Sequence, residues 1–181
     1  MTTPSPINWP KYQHLYEEIS VPAKTVLLEE GKTSRYAYYI VEGAVRLWFN
    51  NKGKDTTFQF FFEGEGVSSI ESFRTGQPSM CTIETISAAR LLKVSKENLD
   101  LIIDSEPGFR ANLEGIIFHR LLRYTKMFIA QIRDTPQERY EALIRDQPHI
   151  LQRVPLQYIA SYLGITPVSL SRIRNKLQRE K

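Results

Sequence analysis

The sequence predicts an α+β chain, with a β-barrel or sandwich in front and helices behind. Three observations carry this. Short β-branched and aromatic runs alternate with turn signals from Thr25 to Val94. Phe109, Leu113, Ile116, Ile117, Leu121, Tyr124 and Phe128 then recur at spacings of three and four. The stretch Leu156–Leu177, LQYIASYLGITPVSLSRIRNKL, reads as two short helices around a tight turn.

Taken in order, a loose start leads to a short helix around Tyr12–Ile19, closed by Pro22. Strands are expected at Thr25–Leu28, Tyr36–Val41, Ala44–Asn50, Thr56–Phe62, Met80–Ile86 and Arg90–Val94. In Ala44–Asn50, Val45, Leu47 and Phe49 alternate with Arg46 and Trp48, as on a two-faced strand. Asn51-Lys52-Gly53-Lys54 is a hairpin turn signal. Ser95 caps a short helix to Ile103, and Pro107 precedes the long helix Phe109–Arg133. At about 25 residues that helix is roughly 37 Å long. Its near-heptad stripe suits pairing with a second copy through Leu113, Ile117, Leu121, Tyr124 and Phe128, although packing on the β-domain alone would also use such a stripe. Thr135-Pro136-Gln137-Glu138 is a capping box with proline at the first helical position. It opens a helix with Tyr140, Leu143 and Ile144 inward, stopped by Asp146-Gln147-Pro148. The expected divisions are therefore 1–108, 109–134 and 135–181.

In the last stretch Ile159, Ala160 and Leu163 fall at helical spacing, and Gly164 supplies the positive φ a helix end needs. Thr166 caps the second helix, Pro167 suits its first turn, and Leu170, Ile173 and Leu177 form its apolar stripe. This is a helix-turn-helix pattern. From Gln152 onward the basic residues are Arg153, Arg172, Arg174, Lys176, Arg179 and Lys181, against the single acid Glu180. Such a face suits DNA, its first turn reaching base edges and its flanks meeting phosphates. Val168, Ser169, Arg172 and Asn175 are the candidates for base contact, and Thr166, Ser171, Lys176 and Arg179 for phosphate.

The bulk numbers agree and exclude much else. Net charge is +4 over 181 residues, with a pI near 9.2, a balance that permits a nucleic-acid partner. The N-terminus lacks the apolar core of a signal peptide and no run reaches membrane-span length, so a cytoplasmic location is expected. The one cysteine, Cys81, allows no intramolecular disulfide, and His14, His119 and His149 show no metal-ligand spacing. No nucleophile elbow or phosphate loop is present, so no enzyme is expected.

The arrangement resembles the Crp/Fnr family of bacterial transcription regulators across nearly the whole chain. The resemblance rests on Gly31, the run Tyr38-Tyr39-Ile40-Val41-Glu42-Gly43-Ala44-Val45, Gly64 and Glu71–Cys81, and, at the other end, on Ile159–Thr166 with Leu170-Ser171-Arg172. It implies a cyclic-nucleotide-binding-type jelly roll, a homodimer through the long helix, effector-modulated binding of double-stranded DNA, and RNA polymerase as a further partner. It also places an effector pocket at Glu71, Ser72, Arg74, Ser79, Met80, Cys81 and Thr82. Two departures matter. Glu71 matches the family's ribose-binding glutamate, but the phosphate arginine should fall near Ser79–Met80, where neither residue is basic. A buried phosphodiester without a cation is costly, so a conventional cAMP site is not expected unless Arg74 reaches in. Another small effector, or none, stays open. The sequence printed here also runs only to Lys181, short of the β-hairpin wing the family usually adds. The competing reading is a ligand-binding module that acts through protein contacts rather than DNA.

Overall fold

The computed structural model describes residues 7–106 and 108–179. The loose start, Pro107 and the tail charges Glu180 and Lys181 lie outside them. The chain forms two compact units, one of Met1–Phe49 with Gln59–Ile117, the other of Asn50–Phe58 with Phe118–Lys181.

The first unit holds two antiparallel sheets. Its strands are β1 Glu17–Val21, β2 Val26–Leu28, β3 Tyr36–Glu42, β4 Val45–Asn51, β5 Lys54–Phe61, β6 Gly66–Val67, β7 Thr82–Thr85 and β8 Ala89–Ser95, with the tip of β4–β5 belonging to the second unit. One sheet has the order β1-β8-β3-β6 and the other β2-β7-β4-β5. Ile40, Val45, Ile83 and Leu91 are fully buried between polar turns, each contributing about 1.5–3 kcal/mol through apolar surface removed from water. The β7–β4 register sets Leu47 beside Ile83 and Arg46 beside Glu84. Adjacent residues of a strand face opposite ways, and here both faces are buried. Arg46 is only 2% exposed and its Nη2 donates to Glu84 Oε2 at 2.8 Å. Gly43, at φ +101°, turns β3 into β4 where an added Cβ would lie 2.5 Å from Ala88 O.

Two expectations need correcting here. Tyr12–Ile19 is not a helix: a 3-10 helix spans Trp9–Leu15 and β1 follows, paired with β8 from Glu17↔Lys93 to Val21↔Ala89. The strand expected from Met80 begins at Thr82. A short helix between β6 and β7, α1 Ile70–Thr75, was not anticipated. The helix α2 Lys96–Ser105 is capped by Ser95, whose Oγ accepts from Asn98 N–H. Ile102, Ile103 and Phe109 pack with Ile7, Tyr12 and Val94, and Leu113 leans on that cluster.

The helix α3 runs Phe109–Arg133 as its periodicity requires. The second unit continues with α4 Pro136–Asp146, α5 Pro148–Arg153, α6 Leu156–Tyr162 and α7 Pro167–Arg179. At the start of α4, the Thr135 side chain accepts from Glu138 N–H and the Glu138 carboxylate accepts from Thr135 N–H, the full capping box. Tyr140 and Leu143 are buried with Ile150, Val154, Ile159, Ala160, Leu163 and Leu170. Ile144, expected inward with them, is 38% exposed: it lies about 40° around the helix from Tyr140 but about 100° from Leu143, at the edge of the inner face.

Candidate nucleic-acid interface and sensor cassette

The turn between α6 and α7 is built by backbone chemistry. Gly164 has φ +70°. Its N–H donates to Ser161 O at 2.9 Å, and Ile165 N–H donates to Ala160 O at 2.9 Å. These two bonds are the Schellman closure of a helix, which needs a left-handed residue at that position. The remaining carbonyls of α6 are taken by side chains. Arg139 Nη2 donates to Leu163 O at 3.0 Å while its Nη1 donates to Asp134 O at 2.6 Å, and Gln131 Nε2 reaches Tyr162 O at 3.5 Å. Thr166 then caps α7, its Oγ1 accepting from Ser169 N–H at 3.1 Å and lying 2.9 Å from Ser169 Oγ.

Leu170 is buried, which anchors α7 and turns its other side outward. Val168 is 61% exposed. Ser171, Arg172, Asn175, Lys176 and Arg179 are exposed as well, and Thr166 with them. Ser169 is half-buried, its hydroxyl against Thr166, so the two share one local hydrogen bond. Lys176 Nζ donates to Gln137 Oε1 at 3.0 Å, which tethers it to α4. Residues 167–179 contain no acid.

The residues expected to form an effector pocket are less unified. Successive residues of α1 point in different directions, so Ser72 and Phe73 are buried while Glu71 and Arg74 are exposed. Arg74 Nη1 lies 3.9 Å from Asp100 Oδ1, and Lys96 Nζ donates to Arg74 O at 3.0 Å, which ties this end of α1 to α2. Met80 is 70% exposed. Ser79, Cys81 and Thr82 are buried. Ser79 Oγ lies 2.8 Å from Ser69 Oγ, donates to Cys81 O at 2.6 Å and accepts from Cys81 N–H at 3.2 Å. Ser72 Oγ accepts from Ser34 N–H at 2.8 Å and donates to Gln77 O at 2.5 Å. Thr82 Oγ1 accepts from Glu30 N–H at 3.1 Å. Burial pushes the Cys81 thiol up from its ordinary range. The structure thus gathers Ser72, Ser79, Cys81 and Thr82 inside, with Ser69 and Ser34 as partners the sequence did not single out, and leaves Glu71, Arg74 and Met80 outside.

On α3, Leu113 packs inward and Tyr124 is half-buried, whereas Ile117, Leu121 and Phe128 are exposed, joined by Ile116, Phe118, Ile129 and Ile132. Arg139 and Gln131, which hold the turn, carry no motif that sequence reading would catch. Ser161 is a third such residue, bonded to the β4–β5 tip at Asp55 O and Thr57 N–H.

Fold and site together define a class, a jelly-roll-like β-domain in one chain with a helix-turn-helix. Residues 18–106 match the family model described as the cyclic nucleotide-binding domain. Among solved structures the chain is similar to the c-di-GMP responsive global regulator CLP of Xanthomonas campestris, with 19% identity, TM-score 0.74, and 95% of this chain and 91% of that chain covered. It is also similar to FixK2 of Bradyrhizobium japonicum, with 18% identity, TM-score 0.77, and 91% and 85% covered. CooA of Carboxydothermus hydrogenoformans, as a mutant, gives 16% identity, TM-score 0.75, and 92% and 78% covered. These three are Crp/Fnr regulators, and the likeness is one of fold. No curated protein matches the sequence. Among the described residues no helix is long and apolar enough to cross a membrane.

Proposed function

We propose that the chain is a DNA-binding transcription regulator of the Crp/Fnr type. The observation that carries this reading is α7: an exposed, acid-free face bearing Arg172, Asn175, Lys176 and Arg179, set by a Schellman turn and a threonine cap into helix-turn-helix geometry. Residues 1–108 act as the sensor, 109–134 as the connecting helix and 135–181 as the reader. Val168, Ser169, Arg172 and Asn175 face the bases, and Thr166, Ser171, Lys176 and Arg179 the phosphates.

Two chains pair along α3. Ile117, Leu121 and Phe128 lie on one stripe and are exposed in the single chain, and contiguous exposed apolar surface of this kind marks an interface. Pairing sets two reading helices about 34 Å apart, one turn of DNA. An effector in the sensor domain shifts the population between two arrangements of the dimer. The cassette hydroxyls bond to one another and to backbone, with no basic side chain among their partners in the described residues. That favours a small effector other than cAMP. Contact with RNA polymerase and a cytoplasmic location follow from the same reading.

The test is selection of duplexes from a random pool at near-physiological salt. Enrichment of a two-fold-symmetric site with half-sites one turn apart is expected. Ile117→Asp with Leu121→Asp should elute as a monomer and lose that symmetric site, and Arg172→Ala should relax base preference at one position at a cost of about 1–3 kcal/mol. Absence of any DNA binding, with or without cell extract as a source of effector, would reject the reading in favour of a module that acts through protein contacts.

A further inference from the structure

The hairpin between β4 and β5 is pinned to the helix-turn-helix. Its tip, residues 50–58, belongs to the second unit with α6. Lys52 at φ 52° and Gly53 at φ 86° are the two central residues of the turn, the geometry that matches the twist of an antiparallel pair. Gly53 N–H donates to Asn50 Oδ1 at 2.7 Å and stiffens the loop. β5 is the outer strand of its sheet. Residues two apart on a strand present their backbone groups to the same edge. On that edge a single hydroxyl does what a neighbouring strand would do: Ser161 Oγ accepts from Thr57 N–H at 2.8 Å and donates to Asp55 O at 2.9 Å.

Residues 50–55 of the tip are all exposed, and they include Lys52 and Lys54. Neither lysine pairs with an acid among the described residues. In a helix-turn-helix the first helix crosses the DNA backbone while the second enters the groove. Ser161 lies on that first helix. The pinned tip therefore holds two unneutralised ammonium groups beside the helix that meets phosphates.

We propose that the β4–β5 tip is a second phosphate-contacting element, with Lys52 and Lys54 gripping the duplex backbone and Ser161 as the residue that positions them. The proposal rests on the DNA-binding reading above. Its partner is double-stranded DNA of any sequence, because phosphate contacts fix register and carry no base information.

The experiment is binding of the full-length protein to a selected duplex and to a scrambled one across 50–200 mM salt. Each phosphate contact contributes about 0.9 to the slope of log K against log salt, so losing two lowers it by about 1.8. Lys52→Asn with Lys54→Gln is the variant, asparagine being at ease with positive φ. Over that fourfold salt range its affinity should fall about twelvefold less than the wild type's, equally on both duplexes. Lys24→Gln with Lys32→Gln, the same charge change within the first unit, should keep the wild-type slope. Ser161→Ala keeps both lysines but frees the tip, and should lose part of the slope. A wild-type slope in the tip variant overturns the proposal while leaving the regulator reading intact. So does an equal drop in the Lys24/Lys32 control, a loss confined to the selected duplex, or a wild-type slope in Ser161→Ala. If wild-type protein binds neither duplex at any salt, the regulator reading fails first and the proposal with it.

Discussion

Arg139 offers a direct test of how the reading turn is held. Its guanidinium donates to Asp134 O at 2.6 Å and to Leu163 O at 3.0 Å, joining the residue after α3 to the carbonyl that α6 leaves open at the turn. Hydrogen bonds from a charged donor contribute about 1.5–3 kcal/mol each. Arg139 is half-buried, so water competes and the lower end applies, about 3 kcal/mol for the two. Arg139→Ala opens both carbonyls to water, which recovers some of this, and a net loss of about 2 kcal/mol remains. For a cooperative chain of this length, 1 kcal/mol moves the melting temperature by about 2–4 °C, so the expected shift is about 4–8 °C downward. Far-ultraviolet circular dichroism during a thermal scan measures it. Arg139→Lys, with one compact ammonium, reaches one carbonyl and should recover about half. DNA affinity in Arg139→Ala, measured well below its melt, should fall more than tenfold, because α7 is then oriented by packing alone. A variant that melts within 1 °C of wild type would show that the two bonds contribute nothing net.

Other outcomes follow from the same structure. Arg46→Met strands the buried Glu84 carboxylate and should cost about 3–5 kcal/mol in urea unfolding, whereas Arg46→Met with Glu84→Leu should recover most of it; a double variant as unstable as the single would locate the damage in packing instead. Gly43→Ala combines a strained φ of +101° with a Cβ 2.5 Å from Ala88 O, and a loss of at least about 1–3 kcal/mol is expected; a neutral result would mean the β3–β4 turn shifts freely. The Thr135 backbone N–H holds the Glu138 carboxyl below the ordinary glutamate range. A lowered folded value stabilises above the unfolded value and is lost as pH falls through the folded one. The melting difference between wild type and Glu138→Gln should therefore be full at neutral pH and shrink as pH falls below the ordinary glutamate range, and a constant difference would exclude the capping box as its source.

Local chemistry was legible in the sequence and long-range pairing was not. The capping box at Thr135, the glycine stop at Gly164 and the limits of α3 all depend on residues within one or two turns of one another. Glu17–Val21 is different. Its five residues are too few to count a period in, and it becomes a strand because β8, more than sixty residues later, supplies the partner edge. The short helices α1 and α5, six residues each, lie below the length at which a 3.6-residue period can be counted. Arg139, Gln131 and Ser161 act on backbone carbonyls or amides brought to them by folding, and no spacing encodes that.

The effector pocket shows the same limit more sharply, because there a stretch contiguous in sequence is divided by its own backbone. From Glu71 to Thr82 the chain passes from helix through a glycine cap to an extended segment, so neighbours in sequence face opposite ways: Ser72 in and Glu71 out, Ser79 in and Met80 out. Ser79 is also fixed by its backbone, which donates to Lys32 O at 2.9 Å and accepts from Gly31 N–H at 2.8 Å. A phosphodiester that entered at Ser79 would have to displace bonds of 2.6 and 3.2 Å to the Cys81 backbone, each worth about 1 kcal/mol. Among the described residues no guanidinium bonds to Ser79 to replace them, and Arg74 is exposed beside Asp100. On the proposed reading the sensor therefore needs a ligand that brings less charge than a cyclic phosphate, or one that binds away from this cassette.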